Sequence, residues 1–103
     1  MNAPFIPQRN TQDYQKADAA HHIHAFLDQK ALNAEGPRVM VRGERLNLWD
    51  NDGNRYLDGM SGLWCTQLGY GRKDLTSAAA AQMDQLAYYN MFFHTTHPAV
   101  IEL

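Results

Sequence analysis

The sequence has little that would indicate secretion, a membrane or nucleic acid. Its 103 residues include one cysteine, Cys65, which excludes an intrachain disulfide and fits a reducing compartment. Nine lysines and arginines against eleven aspartates and glutamates give a net charge of −2, so no basic surface for nucleic acid or an anionic membrane is expected. No apolar run could span a bilayer, and residues 1–12 lack the pattern of a secretory signal. We expect a soluble, cytoplasmic protein in which residues 1–12 form a flexible arm.

The spacing of apolar residues predicts a helix, a small sheet and a second helix. The first helix runs from Asp13 to about Asn33, either continuous or interrupted near the histidines, and Gly36-Pro37 ends it. Residues 39–49 read as an antiparallel hairpin, and a turn at residues 51–54 leads to a third strand. Lys73 to Leu86 is an amphipathic helix, and a further short helix is expected to start at Pro98.

Glycines surround Trp64 in the segment that follows the predicted sheet. Gly59 and Gly62 precede the indole, and Gly69 and Gly71 follow it. Glycines allow a backbone to curve tightly around a ligand or a neighbouring chain, and the aromatic ring then provides a flat apolar wall. The alternative is a buried loop in which Trp64 fills a gap in a core. From the residues alone, both interpretations stay open.

For the other groups of reactive residues, structural roles are a better explanation than metal binding, phosphate binding or catalysis. The histidines do not predict a metal site, because the sequence indicates no acidic or cysteine ligand at a matching spacing. We expect these histidines to make hydrogen bonds at helix caps or in the core instead. Gly69-Tyr70-Gly71 matches neither a dinucleotide fingerprint nor a phosphate loop. Cys65 has no neighbouring base and is expected to be a small buried filler.

Several ordered blocks of sequence together resemble a known family. The blocks are Leu46-Asn47-Leu48-Trp49-Asp50, Asp52-Gly53-Asn54, Leu57-Asp58-Gly59-Met60-Ser61-Gly62-Leu63-Trp64-Cys65, Gly69-Tyr70-Gly71-Arg72 and Tyr89-Asn90-Met91-Phe92-Phe93-His94-Thr95-Thr96-His97-Pro98. In this order they resemble the amino-terminal part of class III aminotransferases. More narrowly, they look like the omega-transaminases that use pyruvate as amino acceptor, including the putrescine and polyamine branch. The resemblance covers roughly residues 21–103.

The resemblance implies the fold class and the division of the chain. The fold would be α/β: the N-terminal segment of a fold type I transferase that depends on pyridoxal 5'-phosphate, incomplete without the large cofactor domain. Residues 13–72 would form the first part of the small domain and the glycine-rich pocket segment. Residues 73–103 would form a helix and an aromatic dimer-interface segment that leads into the missing large domain. We therefore expect the chain to be truncated and not to fold alone.

The resemblance also implies roles for individual residues. Leu63 and Trp64 would line the substrate pocket, Phe26 would add a second aromatic wall, and Phe92 would reach across a homodimer interface into the partner's site. Ordinary core packing of Phe26 and Phe92 is the alternative.

No catalytic or cofactor-binding residue is expected in this chain. Its lysines, Lys16, Lys30 and Lys73, are predicted on helix surfaces, and the Schiff-base lysine of the family would lie beyond residue 103. The whole enzyme would move an amino group from a primary amine or polyamine to pyruvate. The alternative function is a non-catalytic interaction module that docks on a full-length aminotransferase.

Overall fold

The computed structural model describes residues 9–103, which divide into two compact units, one ending at Gly71 and the other spanning Arg72–Leu103. The elements, in chain order, are α1 (Thr11–His21), α2 (Gln29–Glu35), β1 (Met40–Glu44), β2 (Asn47–Asp50), β3 (Arg55–Leu57), α3 (Ser61–Trp64), α4 (Lys73–Leu86) and α5 (Pro98–Ile101). None of these helices has the length and apolar content that crossing a bilayer requires. Most of the predicted arm, residues 1–8, lies outside the described residues.

The first predicted helix is interrupted near the histidines, which was one of its two expected forms. Asn10 caps α1 by accepting a hydrogen bond from the Asp13 backbone N–H, so the helix starts at Thr11. His22 adopts extended backbone angles and ends it. Asp28 then caps α2 through the backbone N–H groups of the next turn. Gly36, with a φ of 80°, ends α2, as the Gly-Pro pair predicted.

The predicted meander is present as a three-stranded antiparallel sheet in the order β1-β2-β3. Glu44 pairs with Asn47 at the hairpin end of β1 and β2, and Asn47 also pairs with Leu57 of β3. The ring of Tyr70 lies over Gly43, where a Cβ would come within 2.6 Å of the ring. A larger side chain at position 43 would therefore displace Tyr70.

Asp50 is the one buried residue in the described part of the chain, with 6% of its surface exposed. Its carboxylate accepts hydrogen bonds from the Tyr56 hydroxyl at 2.7 Å, from the Asn54 side-chain amide at 3.0 Å and from the backbone N–H groups of Asp52 and Asn54. The Tyr56 and Asn54 side-chain bonds are the largest causes that lower the pKa of Asp50 to about 2. All of these donors lie within six residues of Asp50, so the turn between β2 and β3 is ordered by local hydrogen bonds.

The apolar side chains of residues 9–103 form no buried core. In the second unit, α4 has the predicted apolar stripe, yet Leu75, Met83 and Leu86 on that stripe are all exposed. The segment after α4 exposes a run of large apolar side chains, namely Tyr88, Tyr89, Met91, Phe92 and Phe93. Exposed apolar surface on this scale is typical of a face that another chain segment or subunit covers.

We predict that Asp50 titrates well below the ordinary aspartate value. Its pKa falls from 3.8 to about 2, so the charged network stabilises the turn above pH 4 and is lost as the pH falls from about 4 to about 2. The measurement is a carbon-13 NMR titration of the Asp50 carboxyl carbon. Tyr56→Phe should move the midpoint up towards 3.8, because it removes the hydrogen bond that does most to lower the pKa of Asp50. A midpoint near 3.8 in the unaltered chain would show that these hydrogen bonds do not stabilise the Asp50 carboxylate.

Candidate functional site

The glycine-rich segment folds into a closed loop, residues 58–70, which we call the Trp64 loop. At its start, the Asp58 backbone N–H donates to the Leu46 carbonyl at 2.8 Å. At its end, Tyr70 exchanges two backbone hydrogen bonds with Arg45, at 2.8 and 3.0 Å. Both ends of the loop are therefore anchored at neighbouring residues in the turn between β1 and β2.

Asp58 also closes the loop through its side chain. Its carboxylate accepts hydrogen bonds from the Tyr70 hydroxyl at 2.5 Å, from the Gly62 backbone N–H at 2.8 Å and from the Met60 backbone N–H at 3.2 Å. The Tyr70 bond is the largest cause that lowers the pKa of Asp58, and the same bond raises the pKa of Tyr70. One ionised carboxylate thus joins both ends of the loop to the turn inside it.

The turn inside the loop is the short element α3, and its backbone is left-handed over successive residues. Ser61, Gly62, Leu63 and Trp64 have φ values of 50°, 57°, 59° and 69°. Left-handed backbone costs about 1–2 kcal/mol for each residue that carries a Cβ. Gly62 avoids that cost, and a Cβ there would come within 2.7 Å of the Thr66 hydroxyl oxygen. Backbone strain of this kind persists where the surrounding structure imposes it, and it concentrates at functional sites.

The strained turn presents Leu63 and Trp64 outward. Leu63 is 58% exposed and Trp64 is 78% exposed, so in this chain the indole does not fill a core gap. Cys65, which ends the turn, is exposed as well, and the expectation of a buried filler was wrong. The reason is that no apolar layer covers this loop within the described residues. The side chains that the turn displays are available to a ligand or to another part of a larger protein.

The other two predicted pocket residues lie elsewhere. Phe26, in the link between α1 and α2, is fully exposed and has a φ of 59°. Phe92 belongs to the second unit, is 71% exposed and precedes the left-handed residues Phe93 and His94. The structure joins Leu63 to Trp64 in one turn, and the pocket roles of all four residues stay predictions. All four residues lie in or next to left-handed backbone.

The three lysines of the chain lie at the surface of the described residues. Lys16, Lys30 and Lys73 are all exposed, and Lys16 lies 4.0 Å from the Asp13 carboxylate. A Schiff-base lysine needs a site that favours its neutral amine, and none of the three lies in a buried pocket of the described residues.

Sequence reasoning missed the roles of Asp58 and Tyr70. Both residues belong to the blocks that resemble the family, but their twelve-residue separation gave no periodic signal. The available signal was local: an aspartate that opens a glycine-rich segment is placed to accept backbone N–H groups two and four residues later.

We predict that Gly62→Ala loosens the Trp64 loop and that Gly59→Ala does not. An alanine at position 62 adds left-handed strain of about 1–2 kcal/mol, which corresponds to about 5- to 30-fold faster exchange of its backbone amide hydrogen. A Cβ at position 59 meets nothing within 4 Å, which makes it the matched control. Amide hydrogen exchange at both positions measures the effect. Equal acceleration of exchange by the two variants would contradict the claim that the loop imposes left-handed backbone at position 62.

Known proteins match this chain in both sequence and structure. It is 45% identical over 98 residues to the putrescine–pyruvate aminotransferase of Pseudomonas aeruginosa, a match that covers 95% of this chain and 22% of the relative. It is 43% identical to the taurine–pyruvate aminotransferase of Rhodobacter capsulatus, over 86% of this chain and 19% of the relative. A crystal structure of an (S)-enantioselective omega-transaminase from Thermomicrobium roseum matches with a TM-score of 0.89 and 41% identity, over 94% of this chain and 22% of that one.

The chain therefore spans about a fifth of the length of these relatives. Its helices and three-stranded sheet form the part of the transaminase fold that the Thermomicrobium roseum structure shares with it. The family model for class-III aminotransferases matches residues 30–102, which include the sheet, the Trp64 loop and α4. This chain belongs to the class-III aminotransferase family.

Proposed function

We propose that this chain is the N-terminal part of a transaminase that moves an amino group from a primary amine or polyamine, of the putrescine type, to pyruvate. The observation that carries the proposal is the left-handed turn that holds Leu63 and Trp64 exposed at the closed end of the Trp64 loop. Relatives that match most of the chain are named for pyruvate and for different amine donors, putrescine and taurine. Those names support pyruvate as the acceptor more firmly than they support one donor.

In this proposal the Trp64 loop is a wall of the donor pocket. An aliphatic amine would lose water against the indole and against Leu63. A cationic far end of a diamine over the indole face would gain about 0.5–2 kcal/mol of cation–π attraction. Asp58 and Tyr70 would fix the loop in advance, so that ordering the wall costs little when the donor binds.

The amino-transfer chemistry itself would come from pyridoxal 5'-phosphate, which acts as an electron sink in enzymes that bind it. In this proposal the exposed lysines of this chain would not be its Schiff-base partner. We propose that the required lysine lies beyond residue 103. The residues described here would bind and orient the amine and exclude water.

We further propose a homodimer in the cytoplasm. The exposed run from Tyr88 to Phe93 presents aromatic surface that a second copy could cover, and Phe92 would then reach the partner's pocket. A two-fold interface places the same segment of both copies at symmetric positions, so each aromatic run would serve one site. The single cysteine supports a reducing compartment.

A non-catalytic interaction module is the second candidate. The observation that favours it is the coexistence of exposed apolar surface with no lysine suited to the cofactor in the described residues. Such a module would dock on a full-length aminotransferase through its aromatic run. It would bind no cofactor and transfer no amino group.

The first test is the intact mass of the protein purified from its natural source, together with its visible spectrum before denaturation. The enzyme proposal predicts a mass several times 11.7 kDa and the yellow absorbance of bound pyridoxal phosphate. A colourless protein of 11.7 kDa would contradict the enzyme proposal and support the interaction module.

The second test changes the pocket wall in the protein that shows transaminase activity. Trp64→Ala should raise KM for putrescine about 2- to 30-fold with little change in kcat, because it removes binding that the ground state and the transition state share. Trp64→Phe should recover part of the loss. Trp49→Phe is the control, since Trp49 stacks on Arg42 in the sheet, 3.7 Å from ring centroid to guanidinium. Equal KM values for Trp64→Ala and Trp49→Phe would contradict the proposal that Trp64 lines the donor pocket.

A further inference from the structure

Two histidines converge on one aspartate at the end of α1. The Nδ1 atom of His22 lies 3.0 Å from one carboxylate oxygen of Asp18, and the Nε2 atom of His24 lies 2.8 Å from the other. One ligand atom from each of the three residues can be chosen so that all lie within 4.8 Å of one another. Asp18 lies four residues before His22, one helical turn away, so an acidic ligand does lie at a matching spacing, contrary to the expectation from the sequence.

The backbone around the three residues fixes this convergence. The His22 backbone N–H donates to the Asp18 carbonyl at 2.8 Å, which keeps both side chains on one side of the helix end. The His24 backbone N–H donates to the Gln29 side-chain oxygen at 2.9 Å, which ties the link to the first residue of α2. The two imidazole rings then lie 4.0 Å apart between centroids. The cluster is therefore set by local hydrogen bonds at both ends.

The three donor groups suit a divalent transition metal. Two imidazoles and one carboxylate are a common ligand set for such ions, with metal–ligand distances of about 2.0–2.2 Å. Neighbouring ligand atoms around such an ion lie roughly 3–3.4 Å apart, from the same distances and tetrahedral or octahedral angles. The two nitrogen–oxygen distances, 2.8 and 3.0 Å, are close to this spacing, so a bound ion would replace the two hydrogen bonds between the histidines and Asp18.

We propose that Asp18, His22 and His24 bind one divalent transition-metal ion of the Zn²⁺ type, with water in the remaining positions. A cavity of about 370 Å³ beside the cluster, bounded also by Pro37 and Val39, gives room for that water. Arg38 borders the same cavity and opposes a cation, but its guanidinium lies 4.5 Å from the Tyr56 ring centroid, where the ring attracts its charge. The site is independent of the amino-transfer proposal.

The test is a calorimetric titration of the 103-residue chain with Zn²⁺ alone. Because the three ligands lie within residues 18–24, the metal can organise the site without a distant core. His21→Gln and His22→Gln are the matched pair: they change neighbouring residues and leave the same number of histidines. The unaltered chain and His21→Gln should bind one Zn²⁺ with equal affinity, and His22→Gln and Asp18→Asn should bind about tenfold more weakly or worse.

A second readout keeps the proposal falsifiable if Asp18→Asn disturbs α1. His24→Gln changes a residue in the link outside both helices, and it should weaken Zn²⁺ binding by the same factor while the far-ultraviolet circular dichroism stays unchanged. Absence of Zn²⁺ binding by the unaltered chain would overturn the proposal. So would equal weakening by His21→Gln and His22→Gln, because loose chelation by any histidine would explain it.

Discussion

Hydrogen bonds from nearby donors to an aspartate carboxylate are the interaction on which the unit ending at Gly71 depends. Asp50 orders the turn between β2 and β3, Asp58 closes the Trp64 loop, and Asp18 gathers the histidines after α1. In each case the donors lie within twelve residues of the carboxylate. A carboxylate that accepts several such bonds remains charged and fixes the backbone around it. These networks order the backbone locally, in a part of the chain where the described residues form no buried apolar core.

The same arrangement explains what the chain can contribute to chemistry. Polar networks fix the backbone of the Trp64 loop, and its apolar side chains face outward because no apolar layer covers them within the described residues. Leu63 and Trp64 are presented in this way by the Asp58 network, and Phe92 lies beside the left-handed pair that follows it. A pocket wall needs apolar side chains held rigidly against a ligand, and a subunit interface needs exposed aromatic surface. The described residues expose apolar and aromatic side chains of both kinds, and the two roles stay proposals.

Much of the fold could be predicted from the sequence because its signals are local. Apolar spacing located α4, and the Asn-Asp-Gly turn located the step from β2 to β3. Pro98 correctly predicted the first residue of α5. The family resemblance was likewise carried by short ordered blocks. Each of these signals depends on residues that are close together in the chain, and a sequence pattern can predict structure of that local kind.

The site was less predictable because its geometry depends on pairings that no pattern encodes. The hydrogen bond from Tyr70 to Asp58 joins residues twelve apart through an irregular loop. The left-handed angles at Leu63 and Trp64 oppose the preferences of both side chains, so propensity argues against them. Cys65 was expected to be buried because cysteine usually is, but burial depends on a covering layer, and the described residues provide none over this loop.

The most direct test is a thermal scan of the isolated 103-residue chain by near- and far-ultraviolet circular dichroism. If local carboxylate networks order the chain and its apolar faces lack partners, the far-ultraviolet signal will show helix. The near-ultraviolet signal of Trp49 and Trp64 will be weak, and the structure will melt gradually. A strong near-ultraviolet signal that is lost in one cooperative transition would contradict the account, because it would require a packed core within these residues.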